Sequence, residues 1–157
     1  MQWITTWLRR RWPREIDDPD LVRLSYDLGR WTTNVTRDGR NILVVINAVG
    51  WRRDDSELRR FATQVLSDLP ARERSARQFV TANDPCARWG EISLGAITVF
   101  RASKGWIRLS LSRSKPEAAG LVTTGRALSC LQFGIPNDLN VLDVIFLGDR
   151  PVELDYH

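Results

Sequence analysis

Histidine and cysteine are scarce in this chain of 157 residues, and their scarcity limits the chemistry that the chain can perform. The one histidine is His157, and the two cysteines are Cys86 and Cys130. A zinc site needs three or four such ligands at close spacing, and a Ser-His or Cys-His catalytic pair would depend on His157. The sequence therefore predicts no metal and no cofactor. The cysteines allow a disulfide, although two buried thiols are expected in a reducing cytoplasm.

Long apolar runs, internal repeats and low-complexity segments are also missing. No run reaches the roughly 18 apolar residues that cross a bilayer as a helix. The arginines near the N-terminus follow the apolar residues, which is the reverse of a secretory signal. We expect a cytoplasmic protein that is either free or peripheral at a membrane.

Recognisable catalytic motifs are absent as well. Gly120 and Gly125 have the spacing of a phosphate-binding loop, but no Lys-Ser or Lys-Thr follows them. Asp54 and Asp55 are adjacent carboxylates at the start of a predicted helix, where acids cap the helix end. The sequence therefore predicts a binding protein with no catalytic residues.

The net charge of +4 lies entirely in residues 1–14, which we call the arm. The arm carries four arginines and no acid, whereas residues 15–157 carry 19 basic and 19 acidic side chains. Its aromatic and aliphatic residues recur at helical spacing and predict a short amphipathic helix. The candidate binding residues here are Trp3, Trp7, Arg9, Arg10, Arg11 and Trp12.

Three kinds of partner fit the arm. The Trp stripe suits a protein surface, either the chain's own body or a second copy. Tryptophan beside arginine also suits an anionic lipid headgroup layer, and arginine with tryptophan suits nucleic acid. A segment this short does not hold a helix alone in water, so each alternative requires a partner surface.

The remaining residues, 15–157, predict a single α+β domain. Hydrophobic alternation or apolar runs indicate strands at 21–28, 31–37, 41–51, 89–100, 106–112 and 141–147, with Asp38-Gly39 as a hairpin turn. Helical spacing indicates helices at 54–69, 71–82 and 114–133. We therefore expect a largely antiparallel sheet of about five or six strands packed with two or three helices. Asp17–Asp20 is predicted to be an acidic turn, and 149–157 an acidic tail.

A second candidate surface is the predicted strand pair at 101–115, which is basic and contains no acid. Basic and hydroxyl side chains on one face of a strand pair can contact phosphates, and a tryptophan can stack on a base. The candidate residues are Arg101, Lys104, Trp106, Arg108 and Arg113. A solvated sheet face that is balanced by acids elsewhere is the alternative.

The predicted element order and three short stretches carry a likeness to known proteins. The stretches are Phe79-Val-Thr-Ala-Asn83, Trp89-Gly90 and Trp106-Ile-Arg-Leu-Ser-Leu111, the last preceding a predicted helix. Over residues 21–133 this layout resembles type III secretion chaperones and related bacterial sensory-regulator domains. The resemblance implies a non-catalytic homodimer that binds an extended segment of a partner protein. The basic arm departs from that family, whose members are usually acidic.

Two further likenesses concern the arm and the basic strand pair. Plant-virus RNA-silencing suppressors, which clamp duplex RNA, are similar in having N-terminal tryptophans and a basic sheet face. Viral matrix proteins are a third likeness, in which the arm would anchor the chain at a membrane surface. The sequence thus favours a chaperone-like or adaptor dimer that recognises a protein segment. An RNA- or DNA-binding protein and a membrane-surface protein are the alternatives.

Overall fold

A computed structural model describes residues 15–27, 29–47, 56–84, 92–102, 125–134 and 141–156. The strands are β1 Glu15–Asp18, β2 Val22–Asp27, β3 Arg30–Arg37, β4 Arg40–Asn47, β5 Ser93–Arg101, β6 Ala127–Gly134, β7 Val141–Leu147 and β8 Arg150–Tyr156. The helices are α1 Ser56–Ser67 and α2 Leu69–Asn83, between β4 and β5 in sequence.

The eight strands form one sheet in which the spatial order is the same as the sequence order. Neighbouring strands pair antiparallel except β4 and β5, which are parallel because the two helices connect them. The predicted α+β class and the largely antiparallel sheet are confirmed. β4, predicted as a central strand, has β3 on one side and β5 on the other, and β1 and β8 are the two edges.

Local sequence signals account for the first half of the sheet. β3 and β4 join through Asp38 and Gly39, whose φ angles are 51° and 73°. Aspartate and glycine tolerate this left-handed conformation, which tight hairpins require. Trp31 on β3 is 1% exposed and packs against Tyr26 with ring centroids 4.8 Å apart.

The main core lies between the helices and one face of the sheet. α1 buries Leu58, Ala62, Val65 and Leu66, and these residues belong to the same cluster as the inward residues of β3 to β7. On α2, Glu73 receives two hydrogen bonds from Arg40 of β4, at 2.7 and 3.1 Å. This bidentate pair raises the pKa of the Arg40 guanidinium and fixes α2 against the β3–β4 hairpin.

A second, smaller core cluster lies on the other face of the sheet. It contains Phe100, Ala102, Leu128, Cys130 and Ile145, which alternate along their strands with residues of the main core. β6 is therefore buried on both faces. That burial explains its near-continuous apolar sequence, which was wrongly predicted to be the end of a helix at 114–133.

Several sequence predictions are wrong in their details. Residues 127–133 form β6 rather than the end of a helix that Gly134 would cap. The predicted acidic tail contains β8. The predicted turn is present at Pro19 and Asp20, but Asp17 and Asp18 before it belong to β1, so the described part of the sheet has eight strands. Pro70 does not close α1, which ends at Ser67, but lies in the first turn of α2, where a missing N–H costs nothing. The predicted strand at 106–112 lies outside the described residues.

Candidate functional site

Most of the residues predicted to bind a partner lie outside the described part of the chain. They are Trp3, Trp7, Arg9, Arg10, Arg11, Trp12, Lys104, Trp106, Arg108 and Arg113. Arg101 is described, at the end of β5. Its Nη2 donates to Glu57 Oε2 of α1 at 2.7 Å, and its Nη1 donates to the Gly125 carbonyl at 3.1 Å. Glu57 therefore balances the charge that was predicted to meet a phosphate.

The outermost two strands at the β1 edge carry an excess of acid. Residues 15–27, which we call the acidic hairpin, contain five carboxylates and one arginine, giving −4. Glu15 and Asp17 are exposed on β1, and Asp20 and Asp27 are exposed on the turn and on β2. In the described part of the chain β1 pairs only with β2, so its outer main-chain groups form an open sheet edge.

Asp18 builds the turn of the acidic hairpin. Its Oδ1 accepts hydrogen bonds from the backbone N–H groups of Asp20 and Leu21, each at 3.0 Å. Aspartate at the first turn position and Pro19 at the second are the residues that such a turn favours. Leu21 is fully buried and its carbonyl accepts from Thr33 Oγ1 at 3.3 Å. The turn is therefore anchored to β3 and to the core.

Helix α1 supports the same turn from the side. Arg59 Nη1 donates to Asp18 Oδ2 at 2.9 Å, and both side chains are largely buried. Both carboxylate oxygens of Asp18 thus accept N–H donors within the fold. An open cleft of about 210 Å³ lies between the turn and Arg60 and Thr63 of α1, which is smaller than the roughly 300 Å³ of the smallest typical organic-ligand pockets.

Val22 is an exposed, strained residue next to this turn. Its φ is 63° and 72% of its surface is exposed. A left-handed conformation costs about 1–2 kcal/mol for an L-residue with a Cβ, and branching at that atom makes it rarer still. Backbone strain of this kind concentrates at functional sites. Since Val22 is mostly exposed, it also presents an apolar side chain to solvent beside Asp17 and Asp20.

Replacing Val22 by glycine is expected to raise the free energy of unfolding by about 0.5–1 kcal/mol, because glycine adopts positive φ without a Cβ clash. Val22→Ala, which keeps the Cβ, is the matched control and is expected to leave stability nearly unchanged. Urea denaturation of both variants measures the difference. A less stable Val22→Gly protein would show that Val22 is not strained.

The exposed face of the acidic hairpin has one internal ion pair. Arg23 donates to Glu15 across the strand pair, and Asp17 lies directly opposite Arg23 in the β1–β2 register. The hydrogen bond to Glu15 and the nearby negative charges raise the pKa of Arg23. Arg23 therefore offsets one of the five carboxylates, while Asp17, Asp20 and Asp27 remain exposed to solvent.

The opposite edge of the sheet is built differently. β8 contains Pro151, which lacks an N–H donor, and its pairing with β7 shifts register between Ile145 and Phe146. Proline and a bulge both hinder the addition of a further strand. The β1 edge contains neither feature, so it is the better candidate for pairing with another segment.

A partly buried polar cluster on β5, β6 and β7 was not predicted from the sequence. Gln132 Nε2 donates to Asp143 Oδ1 at 3.1 Å, and its Oε1 accepts from Thr98 Oγ1 at 3.2 Å. Burial, and secondarily Asp143, raises the pKa of the neighbouring Cys130 thiol, so this cysteine remains protonated and is a poor nucleophile. These contacts join three strands.

Among the described residues, no three His, Cys, Asp or Glu side chains are placed to hold a metal ion. Within those same ranges neither helix is long and apolar enough to cross a membrane. Comparison of the chain with known protein families, with curated proteins and with solved structures gives no match.

Proposed function

We propose that this protein is a non-catalytic, chaperone-like or adaptor protein that binds an extended basic segment of a protein partner along the β1 edge. The observation that carries the proposal is that β1, which pairs only with β2 among the described strands, is an edge strand within a hairpin of net charge −4. Main-chain hydrogen bonds to an edge strand supply affinity, and the side chains along it supply specificity.

Charge determines which segments suit this edge. Glu15 and Asp17 are two residues apart and lie on the same face of β1. Basic residues at the same two-residue spacing in an added strand would face them. A second β1 strand would place like charges opposite one another, which is destabilising. The acids therefore oppose pairing between two β1 strands and favour a basic partner.

The conformation of the acidic hairpin is also fixed before a partner binds. Asp18, Arg59 and Thr33 hold the turn through hydrogen bonds to two other elements. A preorganised edge loses little conformational entropy on binding, which favours affinity. The exposed Val22 adds apolar surface that a partner side chain can cover.

The test is titration of the full chain into a labelled ten-residue peptide that alternates arginine with valine, followed by fluorescence anisotropy. We expect saturable binding that weakens with added salt, because exposed charge pairs are screened. Asp17→Lys with Asp20→Lys is expected to weaken binding about tenfold or more, since each reversal replaces attraction with repulsion. The matched control gains the same four positive charges at exposed positions outside the hairpin, through Asn34→Lys, Thr36→Lys, Gln78→Lys and Ala82→Lys.

Two further probes separate strand addition from simple charge attraction. A peptide that is N-methylated at alternate residues keeps its charge but loses main-chain donors, and we expect it to bind far more weakly. Single-stranded RNA and anionic vesicles are tested alongside. Tight binding of RNA or vesicles, with no binding of the peptide, would overturn the proposal in favour of the nucleic-acid or membrane alternative.

A further inference from the structure

We infer that the acidic hairpin is the docking site for residues 1–14 of a second copy of this chain, so that two copies exchange arms. This inference rests on the proposed function, because it names the basic segment that the β1 edge receives.

Charge complementarity is the first argument. The arm carries +4 and no acid, and the acidic hairpin carries −4. In an extended arm, Arg9 and Arg11 project to one side, two residues apart. Glu15 and Asp17 have the same spacing on one face of β1. The two sets of charges therefore match in sign and spacing, with Asp17, Asp20 and Asp27 as the exposed acids that Arg23 and Arg59 leave for the arm.

Apolar surface is the second argument. In the same extended arm, Leu8 and Trp12 project to the side opposite Arg9 and Arg11, and a tryptophan gains stability by covering apolar surface while its N–H remains solvated. Beside β1 the hairpin presents Val22, which is 72% exposed, and the half-buried Ile16. A segment of this length does not hold a helix alone in water, so little helical structure has to be lost for it to pair in an extended form.

The short connection between the arm and β1 favours an arm that comes from a second copy. Residue 14 is joined directly to Glu15, so an arm that lies along its own β1 has to reverse direction at Pro13-Arg14, most tightly through a turn of two or three residues. Turns of that length need a residue with positive φ, usually glycine or asparagine, whereas proline fixes φ near −65°. A second copy meets no such restriction, and two reciprocal contacts close a twofold dimer.

The test uses the full chain in two charge-reversed forms. One form carries Arg9→Glu, Arg10→Glu and Arg11→Glu, and the other carries Asp17→Lys, Asp20→Lys and Asp27→Lys. At a concentration where the parent chain sediments as a dimer, each form alone is expected to associate at least tenfold more weakly. An equimolar mixture of the two is expected to recover the dimer, because each arm then meets a hairpin of opposite charge.

Two controls keep the outcome interpretable. Arg37→Glu, Arg74→Glu and Arg126→Glu change the same charge at exposed positions outside the hairpin and are expected to leave the parent dimer intact. A single chain with both sets of reversals is expected to dimerise by itself. Circular dichroism of every variant establishes that it folds.

A parent chain that is monomeric at all accessible concentrations would overturn the inference, and so would a mixture that does not recover the dimer. The arm-reversed chain is also titrated with the arginine–valine peptide. If that peptide still binds while the mixture fails, the arm exchange is wrong and the proposed function stands. If the peptide fails as well, the proposed function is wrong too.

Discussion

Replacing Asp18 by alanine is expected to lower the free energy of unfolding by about 3 kcal/mol. The substitution removes the acceptor for the N–H groups of Asp20 and Leu21, each hydrogen bond contributing about 1 kcal/mol. It also leaves the largely buried Arg59 guanidinium without this carboxylate, and a hydrogen bond to a charged group contributes roughly 1.5–3 kcal/mol. Equilibrium urea denaturation, with the slope held common to both proteins, measures the difference.

Two further variants separate the causes of this loss of unfolding free energy. Asp20→Ala removes the same charge from the same turn, but the Asp20 side chain is exposed, so a change within about 0.5 kcal/mol is expected. Asp18→Asn keeps an oxygen that can accept the backbone N–H groups and loses the ion pair, so it should fall between the two. If Asp18→Ala were no more harmful than Asp20→Ala, the turn would not depend on Asp18.

Replacing Arg72 by alanine is expected to destabilise the fold by about 3 kcal/mol, through a cavity together with an unpaired carbonyl. Arg72 lies in the first turn of α2 and is 3% exposed. Its Nη1 donates to the Gly148 carbonyl at 2.6 Å, and its guanidinium lies 5.5 Å from the Phe146 ring centroid. It thereby fixes α2 to the β7–β8 turn.

Burying the charge of Arg72 costs free energy. A second variant separates this cost from the contribution of Arg72 to packing. Burial lowers the pKa of Arg72, while Asp68 and Asp149 act in the opposite direction. Arg72→Met keeps much of the buried volume and removes the charge, so a smaller loss of about 1 kcal/mol is expected. Arg74→Ala, exposed on the same helix, is the control. Equal stability of Arg72→Ala and Arg74→Ala would contradict this role.

The parts of the fold that local chemistry determines were predictable from the sequence. Asp38-Gly39 has the residues that a two-residue hairpin needs, and β3 and β4 pair on either side of it. The apolar spacing of α1 predicts the face that it buries. In both cases the interactions that decide the structure lie within a few residues of one another.

The errors arise where tertiary contacts decide between alternatives. β6 is apolar on both sides, and only its burial between two core clusters identifies it as a strand. β1 is four residues long and exists as a strand through its pairing with β2. β8 alternates Val152, Glu153, Leu154 and Asp155, a period-two signal that the acidic composition concealed.

The candidate site was only partly predictable for the same reason. The acidic side chains of residues 15–27 and the basic side chains of the arm can be counted in the sequence. The support that Asp18 receives from Arg59, 41 residues away, depends on the fold. The position of β1 at an edge follows from the order of all the described strands, which no local sequence signal gives. The strained φ of Val22 has no sequence signal, since valine is disfavoured there.

Binding of the basic segment at the β1 edge is tested most directly by mapping backbone amide chemical shifts while the arginine–valine peptide is added to the isotope-labelled full chain. We expect the largest shifts at residues 15–20, where the open edge and the turn lie, and little change at residues 150–156 on the opposite edge. Saturating binding that perturbs residues 150–156, or the exposed face of β4, while leaving residues 15–20 unchanged, would contradict the account.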